Sequence, residues 1–285
     1  MIGFSVNIGL VNTLGRTQDL LAASANRLAT GQRINSAWED PAGLIASENL
    51  EAQLAALEAE NRALERNDAV ARTAEAALAE VNGMLTEGEG LAVAAANTGG
   101  MSDAERDAIQ MQMDSLNQSA ERTLRTASFN GNPMFNGEFT IPSGAGGESM
   151  RFELLSVATL GATEIDGDAF SQRDTSSGEA LALNGDRGGD AQTVLAASRG
   201  QIATFRGSIG AFQRNDIGAR RASIDAEFVN VSRANSIIRD TDYASEMVNF
   251  ARTQTLADSA RTMLALGNQR PEQVFISLGL NSRRL

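Results

Sequence analysis

The sequence predicts a mainly α protein: an elongated antiparallel helical bundle, or coiled-coil rod, with a small β-hairpin. Its N- and C-terminal helices are expected to pair as a further coiled coil. Three observations predict this. Leu50, Leu57, Leu64, Ala71, Leu78 and Leu85 recur at a spacing of seven, the period of a coiled-coil seam. Gly and Pro gather between Asn130 and Asp190, where 11 of the 27 Gly fall, so the irregular structure is confined to the middle. On either side the chain is rich in Ala, Leu, Glu, Gln and Arg, which favour helix.

Each element follows from local chemistry. Residues 1 to 15 carry no charge but hold Ile2, Phe4, Val6, Ile8, Leu10, Val11 and Leu14, which predicts an apolar-faced helix. Asp40 and Pro41 open the seam helix: Asp40 accepts from free N–H groups, and Pro41 suits the first helical position, where its missing N–H costs nothing. Leu54, Ala74 and Val81 widen the stripe, Asn61 and Asp68 interrupt it, and Gly83, Gly88 and Gly90 are expected to weaken or kink the helix before about Asn97. Ser102 and Glu105 form a capping-box pattern ahead of the stripe Ile109, Met113, Leu116, Ala120, Leu124. Glu138–Pro142 and Met150–Leu155 read as hairpin strands, because Met150, Phe152 and Leu154 alternate with Arg151 and Glu153. Residues 160 to 190 read as loop.

A third long helix is expected from about Ala191 to Ile238, along Ile202, Phe205, Ile209, Phe212, Ile217, Ile224, Phe228, Val231 and Ile238. The step from Ile209 to Ile217 is eight, so the seam slips one residue near Asn215. The last helix presents Tyr243, Met247, Phe250, Ala257 and Leu264, and beyond Pro271 come Val274, Phe275, Ile276, Leu278 and Leu280. The segments expected are therefore 1–40, a terminal helix; 41–190, most of the rod with hairpin and outer loop; 191–238, the returning rod helix; and 239–285, the second terminal helix.

Composition excludes whole classes of function. The chain has 285 residues, no Cys, no His and no Lys; all 24 basic residues are Arg, set against 36 acids for a net charge of −12. A thiol or imidazole nucleophile, a Schiff-base lysine and a Cys/His metal site are unavailable, so we expect no enzyme, cofactor or metal centre. The negative charge opposes nucleic-acid binding. No segment has the ~20 apolar residues that span a bilayer. Neither terminal helix has the cation-rich polar face of a membrane-surface helix. The run Glu164–Asp168 lacks the ligand order of an EF-hand and reads as a solvated loop. Asp240 and Asp242 are better explained by the start of a helix than as a catalytic pair.

Two lone apolar-faced helices bury little against each other, which points to completion by neighbouring copies. At this point specific segments carry a resemblance. Arg33-Ile34-Asn35-Ser36-Ala37-Trp38-Glu39-Asp40-Pro41-Ala42-Gly43 resembles the N-terminal signature of bacterial flagellins, as do Thr73–Asn82, Gly90–Asn97 and Phe129–Asn132. Ile238-Arg239-Asp240-Thr241-Asp242-Tyr243-Ala244-Ser245-Glu246 and Leu266–Val274 resemble the family's C-terminal segments. The likeness covers roughly 1–142 and 191–280.

The resemblance implies a structural subunit of the extracellular flagellar filament, with the terminal helices as an inner tube and the rod around it. It also implies unfolded export through the flagellar type III apparatus, without a cleaved signal. The implied partners are further copies of the chain, the hook-associated junction and cap proteins, and an export chaperone at about Tyr243 to Leu285. The closest alternative is the hook–filament junction protein itself; the match from Ile238 to Val274 favours flagellin.

The subunit interface is assigned to Ile2, Phe4, Val6, Ile8, Leu10, Leu14, Arg33, Asn35, Trp38, Asp40, Asp240, Asp242, Tyr243, Met247, Phe250, Leu264, Val274, Phe275 and Leu278. Trp38 and Pro41 depart from the family's usual residues, and Trp38 is expected to fill a neighbour's groove. Only about Gly161 to Asp190 is left for an outer domain, so a minimal form is expected. Ser171, Thr175, Ser176 and Ser177 there are candidate O-glycosylation sites, since glycans occur on flagellins. Thr86–Leu91 aligns with a segment that is arginine-rich in some flagellins and bound by an innate immune receptor; Glu87 and Glu89 reverse that charge and imply weak activation.

Overall fold

The computed structural model describes residues 2–97, 101–144 and 149–277, with the side chains of 2–8 and 267–277 outside that description. The helices are α1 (Ile2–Thr30), α2 (Pro41–Ala96), α3 (Asp103–Thr126), α4 (Gly188–Ala211), α5 (Gly218–Arg239) and α6 (Tyr243–Ser277). Between α3 and α4 lie three antiparallel strand pairs: β1 (Ser128–Phe129) with β2 (Asn132–Pro133), β3 (Thr140–Ile141) with β4 (Met150–Arg151), and β5 (Thr163–Ile165) with β6 (Asp168–Phe170). The chain forms two compact units, Met1–Ala56 with Phe228–Leu285, and Leu57–Glu227. Compactness divides the chain inside α2 and α5, away from the segment boundaries expected at 41, 191 and 239.

In the Leu57–Glu227 unit the seven-residue seam is the core. Leu57, Leu64, Ala71, Leu78, Leu85 and Ala92 are buried, with Ala74 and Val81 beside them. They face Val194, Leu195, Ile202, Phe205, Ile209, Phe212, Ile217 and Ile224, also buried. The two strings run antiparallel, as their cross-pairs show: Glu89 with Arg199 at 3.4 Å, Glu75 with Arg206 at 3.5 Å, and Glu60 with Arg220 at 2.7 Å. Glu60 receives two 2.7 Å hydrogen bonds from Arg220, which push the guanidinium pKa further above its ordinary value.

The glycines of α2 do not break it: helix continues unbroken from Pro41 to Ala96. Gly88 is buried where α2, α3 and α4 meet, and a Cβ there would stand 3.3 Å from Met113 Cε and 3.7 Å from Leu195 Cδ2. Lack of a side chain lets three helices approach, an advantage that offsets the helix-propensity cost. The one-residue slip also has a structural form. Phe212–Ile217 is a π-helical turn, and it absorbs the extra residue so that Ile209 and Ile217 both stay inside. Asn215 sits in that turn, exposed.

The capping box at α3 is complete: Glu105 N donates to Ser102 Oγ, and Ser102 N donates to Glu105 Oε2 at 2.7 Å. The bonds its carboxylate accepts from Ser102 N and from the Ser102 hydroxyl hold the Glu105 carboxyl below its ordinary pKa. The buried face of α3 is rotated from the predicted stripe. Met113, Ala120 and Leu124 are inside, but Ile109 and Leu116 are half-buried while Gln110 and Asn117 are buried. These amides hold the chain after β6. Asn117 Nδ2 donates to Thr175 Oγ1 and Ser176 Oγ, each at 3.0 Å, and Gln110 Nε2 to the Thr175 carbonyl at 3.1 Å.

The predicted hairpin exists as β3–β4, shorter than expected. Phe152 N donates to the Phe139 carbonyl at 2.8 Å, and an isolated bridge pairs Asn136 with Leu154. The alternation then fails: Phe152 and Leu155 are buried and Leu154 is exposed. Phe152 anchors an aromatic cluster with Phe135, Phe139 and Phe205, at centroid distances of 5.9, 5.4 and 5.5 Å. Residues 160 to 190 are not simply loop. They contain β5–β6 and a 3-10 turn at Gln172–Thr175, and they bury Leu160, Phe170, Leu181 and Leu183. Strands of three residues are too short to show a sequence period.

Candidate functional site

The Met1–Ala56 with Phe228–Leu285 unit contains every residue assigned to an interface. Here α1 packs along α6 through positions four and three residues apart. On α1 these are Leu10, Leu14, Thr17, Leu21, Ser24 and Leu28; on α6 they are Glu246, Phe250, Thr253, Ala257, Ala260 and Leu264. The Ser24 hydroxyl donates to Glu246 Oε1 at 2.5 Å, setting those two residues on one level. The seam is thin, since half of it is Ala, Ser, Thr or Glu.

Large apolar residues lie outside the seam instead. Val11 and Leu20 are exposed on α1, and Met247, Val248, Leu256, Met263 and Leu266 on α6. The expected stripe on α6 is thus only partly inward: Phe250, Ala257 and Leu264 face α1, while Met247 lies one residue off the seam and Tyr243, at the helix start, is half-exposed with its hydroxyl against Gly31. Of the other assigned residues, the side chains of Ile2, Phe4, Val6, Ile8, Val274 and Phe275, and the whole of Leu278, lie outside the described residues.

Where α1 ends, the two signature segments meet. Gly31 takes a left-handed φ of 73°, closing the helix. Gln32 bridges Asp240, Arg33 N donates to the Arg239 carbonyl at 2.6 Å, and Thr241 N donates to the Gly31 carbonyl at 2.8 Å. Arg33 Nη2 reaches the Ile238 carbonyl at 2.6 Å, placing a cation on the C-terminal carbonyls of α5. Asn35 Nδ2 donates to the Gln32 carbonyl at 2.8 Å, and Glu39 Oε2 accepts from Asn35 N at 2.8 Å. Asp40 caps α2 as its sequence suggests, accepting from Gly43 N at 2.8 Å. Gly43 is required there, because a Cβ would collide with Asp40 and Ile34.

Asp242 caps α6 in the same way. Its carboxylate accepts from Ser245 N at 3.2 Å, the Ser245 hydroxyl at 2.9 Å and Ala244 N at 3.0 Å, which together hold its pKa below the ordinary aspartate value. Asp240 instead accepts from the Ser236 hydroxyl at 2.5 Å. Arg33, Asn35, Asp40, Asp240 and Asp242 are therefore all engaged within the chain. Trp38 is the opposite case, 81% exposed on the turn before α2. Ile45 and Ile237 are exposed in the same unit and were missed in the sequence, where each reads as an ordinary core position.

The chain matches the model of the bacterial flagellin N-terminal helical region over residues 6–140 and that of the C-terminal helical region over 193–278. It is 30% identical over 277 residues to a flagellar filament 30.7 kDa core protein of Treponema maltophilum, covering 92% of this chain and 93% of that protein. It is 30% identical over 296 residues to a flagellin of Bacillus subtilis, covering 94% and 97%. The chain belongs to the bacterial flagellin family. The matched stretches end within a few residues of the limits expected from the motifs.

The remaining sites of this flagellin lie in the other unit. Thr175 is withdrawn as a glycan acceptor: it is fully buried, donating to the Gln172 carbonyl at 2.7 Å and accepting from Asn117. Ser171 is half-buried and bonded to Asp174 at 3.0 Å, and Ser176 is half-buried against Asn117. Ser177 is exposed at the rim of an open groove of about 760 Å³ between α3 and residues 157–177. The Glu164–Asp168 run forms the β5–β6 turn, with Asp166 and Gly167 at φ of 55° and 91°. Among the described residues no group of three acids is placed to hold a metal, and no helix is long and apolar enough to cross a membrane.

Proposed function

We propose that this flagellin is a structural subunit that polymerises into the bacterial flagellar filament and serves motility. The observation that carries the reading is the exposed apolar surface of the α1–α6 pair. Val11, Leu20, Val248, Leu256, Met263 and Leu266 face outward from a seam that holds Thr17, Ser24, Glu246 and Thr253. Burying that surface needs several neighbours, which a polymer of identical chains supplies. The experiment is seeded polymerisation of purified chain, read by sedimentation and electron microscopy. Leu256→Glu with Leu266→Glu should leave no pelletable polymer while the unassembled chain keeps its helicity; undiminished polymer in that variant would refute the reading.

Finer roles belong to the same proposal. Export proceeds unfolded, with a chaperone covering about Tyr243 to Leu285 until release, and the ends of the polymer meet the hook-associated junction and cap proteins. Trp38 occupies a groove on a neighbouring copy. Ser177 is the glycan acceptor best supported by exposure, and an intact mass equal to the bare chain would remove it. Glu87 and Glu89 replace cations with anions on α2, and Glu89 is tied to Arg199 at 3.4 Å. A reporter assay with purified monomer should therefore show weak innate-receptor activation.

A further inference from the structure

Four asparagines of this chain are followed by glycine: Asn82, Asn130, Asn136 and Asn184. Such a pair can close spontaneously into a ring, because glycine has no side chain to keep its backbone nitrogen away from the asparagine carboxamide. Closure requires that carboxamide to be free, that N–H to be uncommitted and the local backbone to have room to move. In three of the pairs the structure denies this. Gly83 lies inside α2, where its N–H belongs to the helical ladder and the Asn82 carbonyl receives the Thr86 hydroxyl at 2.9 Å. The Asn136 carboxamide accepts from Glu138 N at 3.0 Å, and Asn136 also bridges Leu154. Gly185 N donates to the Ala182 carbonyl at 3.1 Å, and the Asn184 carboxamide donates to Asp107 at 3.3 Å.

Asn130 and Gly131 are held by nothing comparable. They form the turn between β1 and β2, with φ of 51° and 82°, the two left-handed conformations of a type I′ turn. Both residues are exposed, and among the described residues neither the Asn130 carboxamide nor Gly131 N has a hydrogen bond. Only two residue pairs, Ser128 with Pro133 and Phe129 with Asn132, join the strands, so the turn opens at little cost. Asn132, next along, is followed by Pro133, which has no N–H to close a ring. We infer that this exposed turn makes Asn130 a site of spontaneous covalent modification, at which the folded chain converts the amide to aspartyl and isoaspartyl forms ahead of its other Asn-Gly pairs.

The chemistry needs only water and no second copy. Gly131 N, losing its proton, bonds to Asn130 Cγ, and the amide nitrogen leaves as ammonia, closing a cyclic imide. Water then adds at one of the imide carbonyls and breaks its bond to nitrogen. Breaking the bond at Cγ gives aspartate; breaking the bond at the backbone carbonyl carbon gives isoaspartate, whose main chain is longer by one carbon. Either product exchanges a neutral amide for a carboxylate, and nothing is oxidised or reduced. The β1–β2 turn leads the chain from α3 to the buried Met134 and Phe135, so the longer isoaspartyl form falls in a turn of only two residues.

The test is timed incubation of the purified full-length chain at mildly alkaline pH, followed by peptide mapping with fragment-ion sequencing that separates Asn130 from Asn136. In the folded chain Asn130 should convert at least about tenfold faster than Asn82, Asn136 or Asn184, because those pairs must first break local structure. In denaturing urea the four rates should draw to within about threefold of one another, since the folded contacts are gone. Asn130→Gly suits a turn with left-handed φ and should remove the leading acidic species. Hydroxylamine, which cleaves the imide, should cut the folded parent between Asn130 and Gly131 and leave the Asn130→Gly chain whole. Equal rates at all four pairs in the folded chain, faster conversion at another pair, or a parent left uncut would overturn the inference. A lead of Asn130 undiminished in urea would overturn it as well, because the turn would then not be its cause.

Discussion

The two compact units differ in what they leave outside. In the Leu57–Glu227 unit the leucine seam is closed, and Val93, Met111 and Leu154 are the large apolar residues left exposed among those described. Among its described residues the terminal unit exposes twelve, from Val11 to Leu266. Charge divides the other way. The Leu57–Glu227 unit holds 14 Arg and 26 acids, hence the entire net −12, whereas the terminal unit holds ten of each. One unit is finished, with its charge given to water. The other is neutral and unfinished, so its self-association meets no net repulsion of its own. The exposed apolar residues and the net charge thus lie in separate units.

Truncation breaks this comparison most severely. Removing residues 1–15 or 265–285 should abolish polymer formation while the Leu57–Glu227 unit keeps its unfolding transition, followed by circular dichroism. Loss of both together would mean that the units are not independent. Next in size, Leu78→Ala should cost about 2–5 kcal/mol by opening a cavity at a fully buried position, measured by denaturant unfolding. Leu256→Ala, at an exposed position, should change the unassembled chain by less than about 0.5 kcal/mol and yet weaken assembly. Equal costs would erase the distinction between a closed and an open unit.

Gly161→Ala sharpens the contrast within the finished unit. Gly161 has φ of 67°, and a Cβ would strike the Ser198 hydroxyl and the Val194 carbonyl of α4, so a loss of about 1–3 kcal/mol is expected. Trp38→Ala should leave the thermal midpoint of the free chain unchanged and slow polymer growth, because the ring is exposed until a neighbour covers it.

The smallest effect is in acid. The folded pKa of Asp242 lies below its unfolded value, so its capping contribution is present above the unfolded pKa and lost as pH falls through the folded one. The start of α6 should fray first on acidification, and Asp242→Asn should flatten that dependence in hydrogen exchange of Ala244 and Ser245.

Much of the fold is legible because its signals are local and repeated. The Asp40–Pro41 start, the Ser102–Glu105 box and the eight-residue step that became a π turn each need only neighbours in the chain. The short pairs β5–β6 and the buried amides Gln110 and Asn117 were not legible, because the partners of those amides lie 55 to 73 residues away and polar residues carry no burial signal until such partners arrive. Leu10, Leu14, Phe250 and Leu264, expected at a subunit interface, line the seam between α1 and α6 of one chain, and Arg33, Asn35 and Asp240 are likewise bonded within the chain.

The sequence by itself determined the helices, their heptad seam, the lack of Cys, His and Lys, and the family. Only the tertiary structure decided which apolar residues are spent within one chain and which remain for others. Periodicity records where a side chain points from its own helix. Whether anything stands there to receive it depends on the packing of segments more than 200 residues apart, as at Ser24 and Glu246.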